Sequence, residues 1–211
     1  MTRFVFRGQV LSFSVLMLLV THLASAQETR PVASTTLEAL LAAPLITPAS
    51  GAQRGDVTLV EYFDYNCPVC RALEPQLQKL LASDRGVRLV RKDWPIFGEG
   101  SVYAAYCAFA ASQEGRYQAA HDALMTSSKD LDSKEDVLSV LRAAGFDVAK
   151  IESDVARHRK EYDDALARIR REAQELGLRG TPGVIVGNQL VLGRADSQRL
   201  QQLIARARLH S

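Results

Sequence analysis

Two cysteines, Cys67 and Cys70, stand three positions apart in the stretch Phe63–Arg71, FDYNCPVCR. Such a pair can ligate a metal, staple a fold or exchange electrons as a dithiol. A structural zinc site takes four ligands, usually from a second cysteine pair or a histidine pair at short spacing. The remaining candidates are Cys107, His121, His158 and His210, and none stands at ligand spacing. No metal is expected. A bridge across CxxC closes a very small loop and restrains the unfolded chain little, so stapling is a poor use for it. Redox exchange remains. It needs one acidic thiol to attack and a second within reach to resolve the mixed disulfide.

The flanking elements are suited to that task. Val57–Phe63 (VTLVEYF) is a β-rich apolar run and reads as a buried strand. From Pro68 onward Leu73, Leu77, Leu80 and Leu81 recur at helical spacing, with Pro75 inside the helix. Cys67 therefore falls at a helix start, where unpaired N–H groups and the positive end of the helix dipole favour a thiolate. Its pKa should lie below the ~8.5 of a free thiol. Pro68 suits the first turn, since its missing N–H would be unpaired anyway. Cys70, one turn on, should be the buried resolving thiol and Cys67 the exposed attacker.

Further along, Val87–Lys92 reads as a second strand. Helices are expected at 101–114, 115–126 and 134–144, with a long helical stretch over 147–176 that bends or divides. An apolar hairpin turns at Gly187-Asn188, and 197–209 closes as a helix. The order β-α-β, a helical block over about 95–176, then β-β-α is an α/β thioredoxin layout with a helical insertion. Ahead of it, 27–54 reads as a lead-in, with one short helix over 36–43 that ends before Pro44, Pro48 and Gly51.

A second motif, GTPGVIVGN (Gly180–Asn188), places Pro182 just before an apolar strand. Proline cannot donate to a ladder, so it belongs at a strand start or edge. FDYNCPVCR and GTPGVIVGN together, separated by a helical insertion, resemble the DsbA family of thioredoxin-fold disulfide oxidoreductases over about residues 55–210. The resemblance implies that Pro182 is a cis-proline facing the cysteines. It also implies that the backbone at Thr181 and Pro182 binds a substrate chain as an added strand. Glu61, six before Cys67, stands where relatives carry a buried acid that relays protons to the second cysteine; from the strand pattern alone it can equally face water. The intervening dipeptide, Pro68-Val69, lacks the histidine of strongly oxidising members. Thr181 replaces their valine. Both departures imply a milder redox couple.

The export reading rests on the first 26 residues. Arg3 and Arg7 precede the apolar run Val10–Val20, and Ala24-Ser25-Ala26 offers small residues for cleavage. This is the pattern of a secretory signal peptide, leading to the periplasm. Of 26 Lys+Arg and 24 Asp+Glu in the whole chain, two arginines fall in that leader, so the remainder is balanced at 24 of each. Such balance gives no footprint for nucleic acid or a polybasic membrane contact. Cys107, in YAAYCAFA, is expected to be an inert buried thiol. No bound organic cofactor is implied. The expected activity is oxidation of cysteine-containing exported proteins by a monomer that a membrane redox partner re-oxidises. The rivals are an isomerase or reductase of the DsbC/DsbG or ScsC type, and a peptide-binding chaperone with a vestigial dithiol.

Overall fold

The computed structural model describes residues 29–42, 49–52, 54–192 and 195–209. The expected leader, Pro44, Pro48 and His210 lie outside these. The elements run β1 (Thr29–Pro31), α1 (Ser34–Ala42), β2 (Ser50–Gly51), β3 (Val57–Phe63), α2 (Pro68–Ser83), β4 (Val87–Asp93), α3 (Glu99–Gln113) and α4 (Tyr117–Met125). They continue through α5 (Lys134–Ala143), α6 (Val148–Arg157), α7 (Arg159–Glu175), β5 (Gly183–Val186), β6 (Gln189–Leu192) and α8 (Ser197–Leu209). The six strands form one sheet in the order β1-β6-β5-β3-β4-β2. β3 and β4 are parallel, joined through α2, whereas β5 runs antiparallel to β3 and turns tightly into β6. Gly187, with φ +56°, takes the left-handed turn position that other residues rarely adopt. The arrangement is a thioredoxin fold with α3–α7 inserted between β4 and β5.

The middle strand explains the unbroken apolar run of its sequence. In β3 every residue but Thr58 is buried, because helices cover both faces of the sheet. On one face Val57 and Leu59 pack with Leu73 and Leu77 of α2 and Leu200, Leu203 and Ile204 of α8. On the other, Val60 and Tyr62 pack with Leu40 of α1 and Ile169 and Ala173 of α7. A third cluster fills the inserted helices and includes Phe63, Tyr65, Cys67 and Cys70. The dithiol thus lies at the seam between the sheet and the insertion. Strand parity sets Glu61 on the same side as Val57 and Leu59, under α2.

The two short edge strands went unread in the sequence. β1 pairs with β6 and β2 with β4, and neither carries an apolar pattern of its own. The stretch 147–176 divides at His158, which ends α6 and begins α7.

Within the insertion, the loop before α5 is held close to α3 at one glycine. A Cβ on buried Gly100 of α3 would stand 1.7 Å from the carbonyl oxygen of Leu131 and 2.6 Å from its carbon. That is backbone, with no soft side chain to yield. Gly100→Ala is therefore expected to destabilise the fold by about 1–3 kcal/mol or more, read as a lower urea midpoint. An unchanged midpoint would mean that the 131 loop moves freely away from α3.

Candidate active site

β3 delivers the chain to a turn at Asp64, whose carbonyl accepts the Cys67 amide at 3.2 Å. Cys67 caps α2, and Pro68 occupies the first turn. The Cys67 sulfur accepts the Cys70 amide at 3.3 Å, and its thiol donates to the Thr181 carbonyl at 3.3 Å. Thr181–Pro182 is a cis peptide bond at the entrance to β5, and the pairing of β5 with β3 brings Thr181 onto the cysteine across 114 residues of chain. Both cysteines are free thiols.

One expectation needs correction. Cys67 is only 1% exposed and Cys70 0%. As a helix cap, the Cys67 side chain folds back onto the Cys70 amide and the Thr181 carbonyl instead of pointing to water. The two thiols differ in acidity far more than in exposure. Hydrogen bonding from Cys70, opposed by burial and helped by Thr181 and the amides of Cys70 and Val69, lowers the Cys67 pKa to about 6. Burial first, then the hydrogen bond to Cys67 and the charge of Glu61, push Cys70 far above the ordinary thiol range. At neutral pH the pair is one thiolate and one thiol. Val69, between them, is 37% exposed.

Glu61 is wholly buried, and a solvent-facing role is excluded. Burial raises its pKa to about 8 against the pull of Arg91, whose Nε stands 3.9 Å from Oε2. Neither carboxyl oxygen has a hydrogen-bond partner in the described structure. Arg91 is committed elsewhere: its Nη2 donates to Glu74 Oε1 at 2.9 Å. Burial would raise Glu74 as well, but His121 and Arg91 hold it down at about 2. Burial lowers the His121 pKa, and its Nδ1 stands 3.3 Å from the Tyr65 hydroxyl and its Nε2 3.3 Å from Glu74 Oε2. Asp93 is buried in the same region and pushed up to about 7. One guanidinium thus faces three buried carboxyls, and Glu61 keeps its proton at neutral pH because burial outweighs the pull of Arg91.

Sequence reasoning missed Arg91, Glu74 and His121. The signal for Arg91 was strand parity: it shares a face with Val87 and Leu89, both buried. Glu74 sits on the apolar stripe of Cys70, Leu73 and Leu77. Glu74, His121 and Asp122 bring three donor atoms within 4.8 Å of one another. Glu74 Oε1 already accepts from Arg91 and Gln78, and Asp122 Oδ1 from Gln78 and Gln118, while Glu74 Oε2 faces His121 Nε2 at 3.3 Å. His158 lies apart, against Asp154 at 3.1 Å. Cys107 is fully buried in α3 and its thiol is pushed up by burial.

The sequence model of the DSBA-like thioredoxin domain matches residues 58–205. A thioredoxin-like oxidoreductase from Silicibacter pomeroyi DSS-3 superposes with a TM-score of 0.77 at 38% identity, over 85% of this chain and 100% of that one. A periplasmic thioredoxin-like protein from Salmonella enterica serovar Typhimurium gives 0.71 at 25% identity, over 86% and 100%. Among curated relatives, 83 residues are 34% identical to the Na(+)/H(+) antiporter NhaA 3 of Salinispora tropica, which is 38% of this chain but only 13% of that protein. The chain therefore spans a small part of that relative.

Proposed function

This chain belongs to the family of DSBA-like thioredoxin domains, and on that premise we propose that it is an exported dithiol oxidase of cysteine-containing proteins. The carrying observation is the asymmetry of the pair: a Cys67 thiolate beside a Cys70 thiol that resists ionisation. In the oxidised protein a client thiolate attacks Cys67, and the Cys67–Cys70 bond breaks. Cys70 leaves as a thiolate and takes a proton from Glu61, which holds one at neutral pH. A second client thiolate then attacks the client sulfur of the mixed disulfide. Cys67 departs as a stabilised thiolate, and the client gains a disulfide. Two electrons now rest on the Cys67–Cys70 pair, and a membrane redox partner removes them. The backbone at Thr181 and Pro182 receives the extended client chain.

The family and the periplasmic relative support an exported protein, as does the leader-like stretch 1–26. No helix among the described residues is long and apolar enough to cross a membrane. A monomer is supported by the lead-in, whose β1, α1 and β2 complete the sheet and its covering layer.

The direction of exchange follows from thiolate stability. A lower Cys67 pKa favours the reduced form and makes the couple more oxidising. A value of about 6 falls between the ~3.5 of the strong oxidant DsbA and the ~7 of thioredoxin. Equilibration with glutathione should give a potential between roughly −120 and −270 mV. Thr181→Val with Val69→His should move it toward oxidising, because an added imidazolium favours the thiolate. A wild-type value near −270 mV would make the protein a reductase or isomerase of the ScsC kind, and the oxidase reading would fall.

A further inference from the structure

Glu74, His121 and Asp122 take no part in the exchange chemistry, and no ligand spacing marks them in the sequence, because α2 supplies the first and α4 the other two. Each spends one atom on the network around it. Glu74 Oε1 accepts from Arg91 at 2.9 Å and from Gln78 at 3.2 Å. Asp122 Oδ1 accepts from Gln118 at 2.8 Å and from Gln78 at 3.1 Å. His121 Nδ1 stands 3.3 Å from the Tyr65 hydroxyl. The second atom of both buried members is left over. Glu74 Oε2 and His121 Nε2, on side chains 1% and 0% exposed, face each other at 3.3 Å but form no hydrogen bond. The Tyr65 hydroxyl also bonds the Asp93 carboxyl and lowers its pKa, as a donor does. It is then the acceptor toward His121, which assigns the imidazole proton to Nδ1 and a lone pair to Nε2. A lone pair is thus set against a carboxylate oxygen, and a cation belongs between them.

We propose that Glu74 Oε2, His121 Nε2 and Asp122 Oδ2 bind a divalent transition-metal ion of the zinc class, with a fourth position left for water. An ion held at ~2.0–2.2 Å by imidazole and carboxylate keeps its donors roughly 3.3 Å apart in a tetrahedron. That is the separation of Nε2 from Oε2. The third donor lies within 4.8 Å of both, on a half-buried residue that is free to close the remaining gap and gives the ion its way in. One imidazole with two carboxylates suits zinc and its first-row neighbours. The outer partners are those that such a site uses. Tyr65 fixes the imidazole tautomer, and the rings of Phe63, Tyr65 and Tyr117 stand 5.1, 5.6 and 5.7 Å from the His121 ring and hold its plane. Gln78 and Gln118 hold the far oxygens of the two carboxylates. Arg91 opposes a cation, but it engages the other oxygen of Glu74 and is itself shared with Glu61. Burial favours the neutral imidazole that a metal requires.

The test titrates zinc chloride into the oxidised protein by calorimetry, so that the Cys67–Cys70 disulfide keeps the thiolate from taking the ion. The wild type should bind one zinc per chain. Asp122→Asn, a change at a half-buried position, should weaken binding by at least about tenfold, and His121→Gln should remove it. Bound zinc should also raise the urea midpoint of the wild type and leave that of His121→Gln where it was, since an ion that binds only the folded chain stabilises it by mass action. His158→Gln should bind as the wild type does, because His158 lies apart beside Asp154. No binding by the oxidised wild type up to about 1 mM zinc would overturn the proposal. So would an affinity unchanged in Asp122→Asn, or one lost in His158→Gln. If His121→Gln fails to fold, the Asp122→Asn affinity decides alone.

Discussion

Cys67→Ser is expected to abolish disulfide exchange, and Cys70→Ser to accumulate covalently joined to its clients through Cys67. The two outcomes follow from the unequal acidity of the pair. With a pKa of about 6, Cys67 is roughly nine-tenths thiolate at pH 7. An ordinary thiol near ~8.5 is only ~3% ionised there. Cys70 is pushed above even that value, so the thiolate population favours Cys67 by more than ~30-fold. Removing Cys67 leaves no competent nucleophile. Removing Cys70 leaves the first step intact but deletes the thiol that resolves the mixed disulfide. Non-reducing electrophoresis and mass spectrometry read both directly. Clients attached through Cys70 in the Cys67→Ser protein would reverse the assignment. The same acidity sets the pH at which alkylation of the reduced protein begins, near 6 and not near 8.

Glu61→Gln should slow exchange by about a hundredfold while making the protein more stable. The kinetic loss arises because Cys70 needs a proton when it leaves and must surrender one when it attacks. Among the described residues Glu61 is the wholly buried acid whose charge acts on it. The wild-type pH–rate profile should show a limb near 6 from Cys67 and an inflection near 8 from Glu61; in the variant only the first remains. The stability gain follows from linkage. An acid whose folded pKa is raised favours the folded state most when protonated. That contribution is complete below the unfolded pKa near 4.5 and is lost as pH rises from there to about 8. At pH 7 the penalty is about 3 kcal/mol, and an uncharged glutamine removes it. Urea midpoints should therefore fall from pH 5 to pH 8 in the wild type, with a shallower slope in the variant. An unchanged pH–rate profile would remove Glu61 from the mechanism, and a variant less stable at pH 8 would contradict its burial as a strained acid.

Short-range chemistry was written in the chain. The helix start at Cys67, the proline after it, the strand before it and the apolar hairpin at Gly187-Asn188 each follow from local propensity and periodicity, and the structure has them within a residue or two. β3 and α8 occupy the spans expected of them, since both carry unbroken patterns. The edge strands β1 and β2 were not legible, because three- and two-residue strands hold their place through a partner's ladder and not through any pattern of their own.

The sequence by itself determined that two thiols would meet at the end of a buried strand, and that one of them would cap a helix. Tertiary structure decided the rest. Thr181 reaches Cys67 only because β5 lies beside β3. Whether Glu61 faces water or the core is undecidable from alternation in a strand covered on both faces, and α2 settles it by lying over that side. Its proton is kept because burial outweighs the pull of Arg91, which Glu74 engages in a pairing made between β4 and α2. The exposed attacker expected from the motif became a buried one, since a capping side chain finds its partners in backbone groups that only folding brings near. Local sequence sets which groups a segment carries, but desolvation and charge pairing depend on distances between segments, and those exist only once the chain has packed.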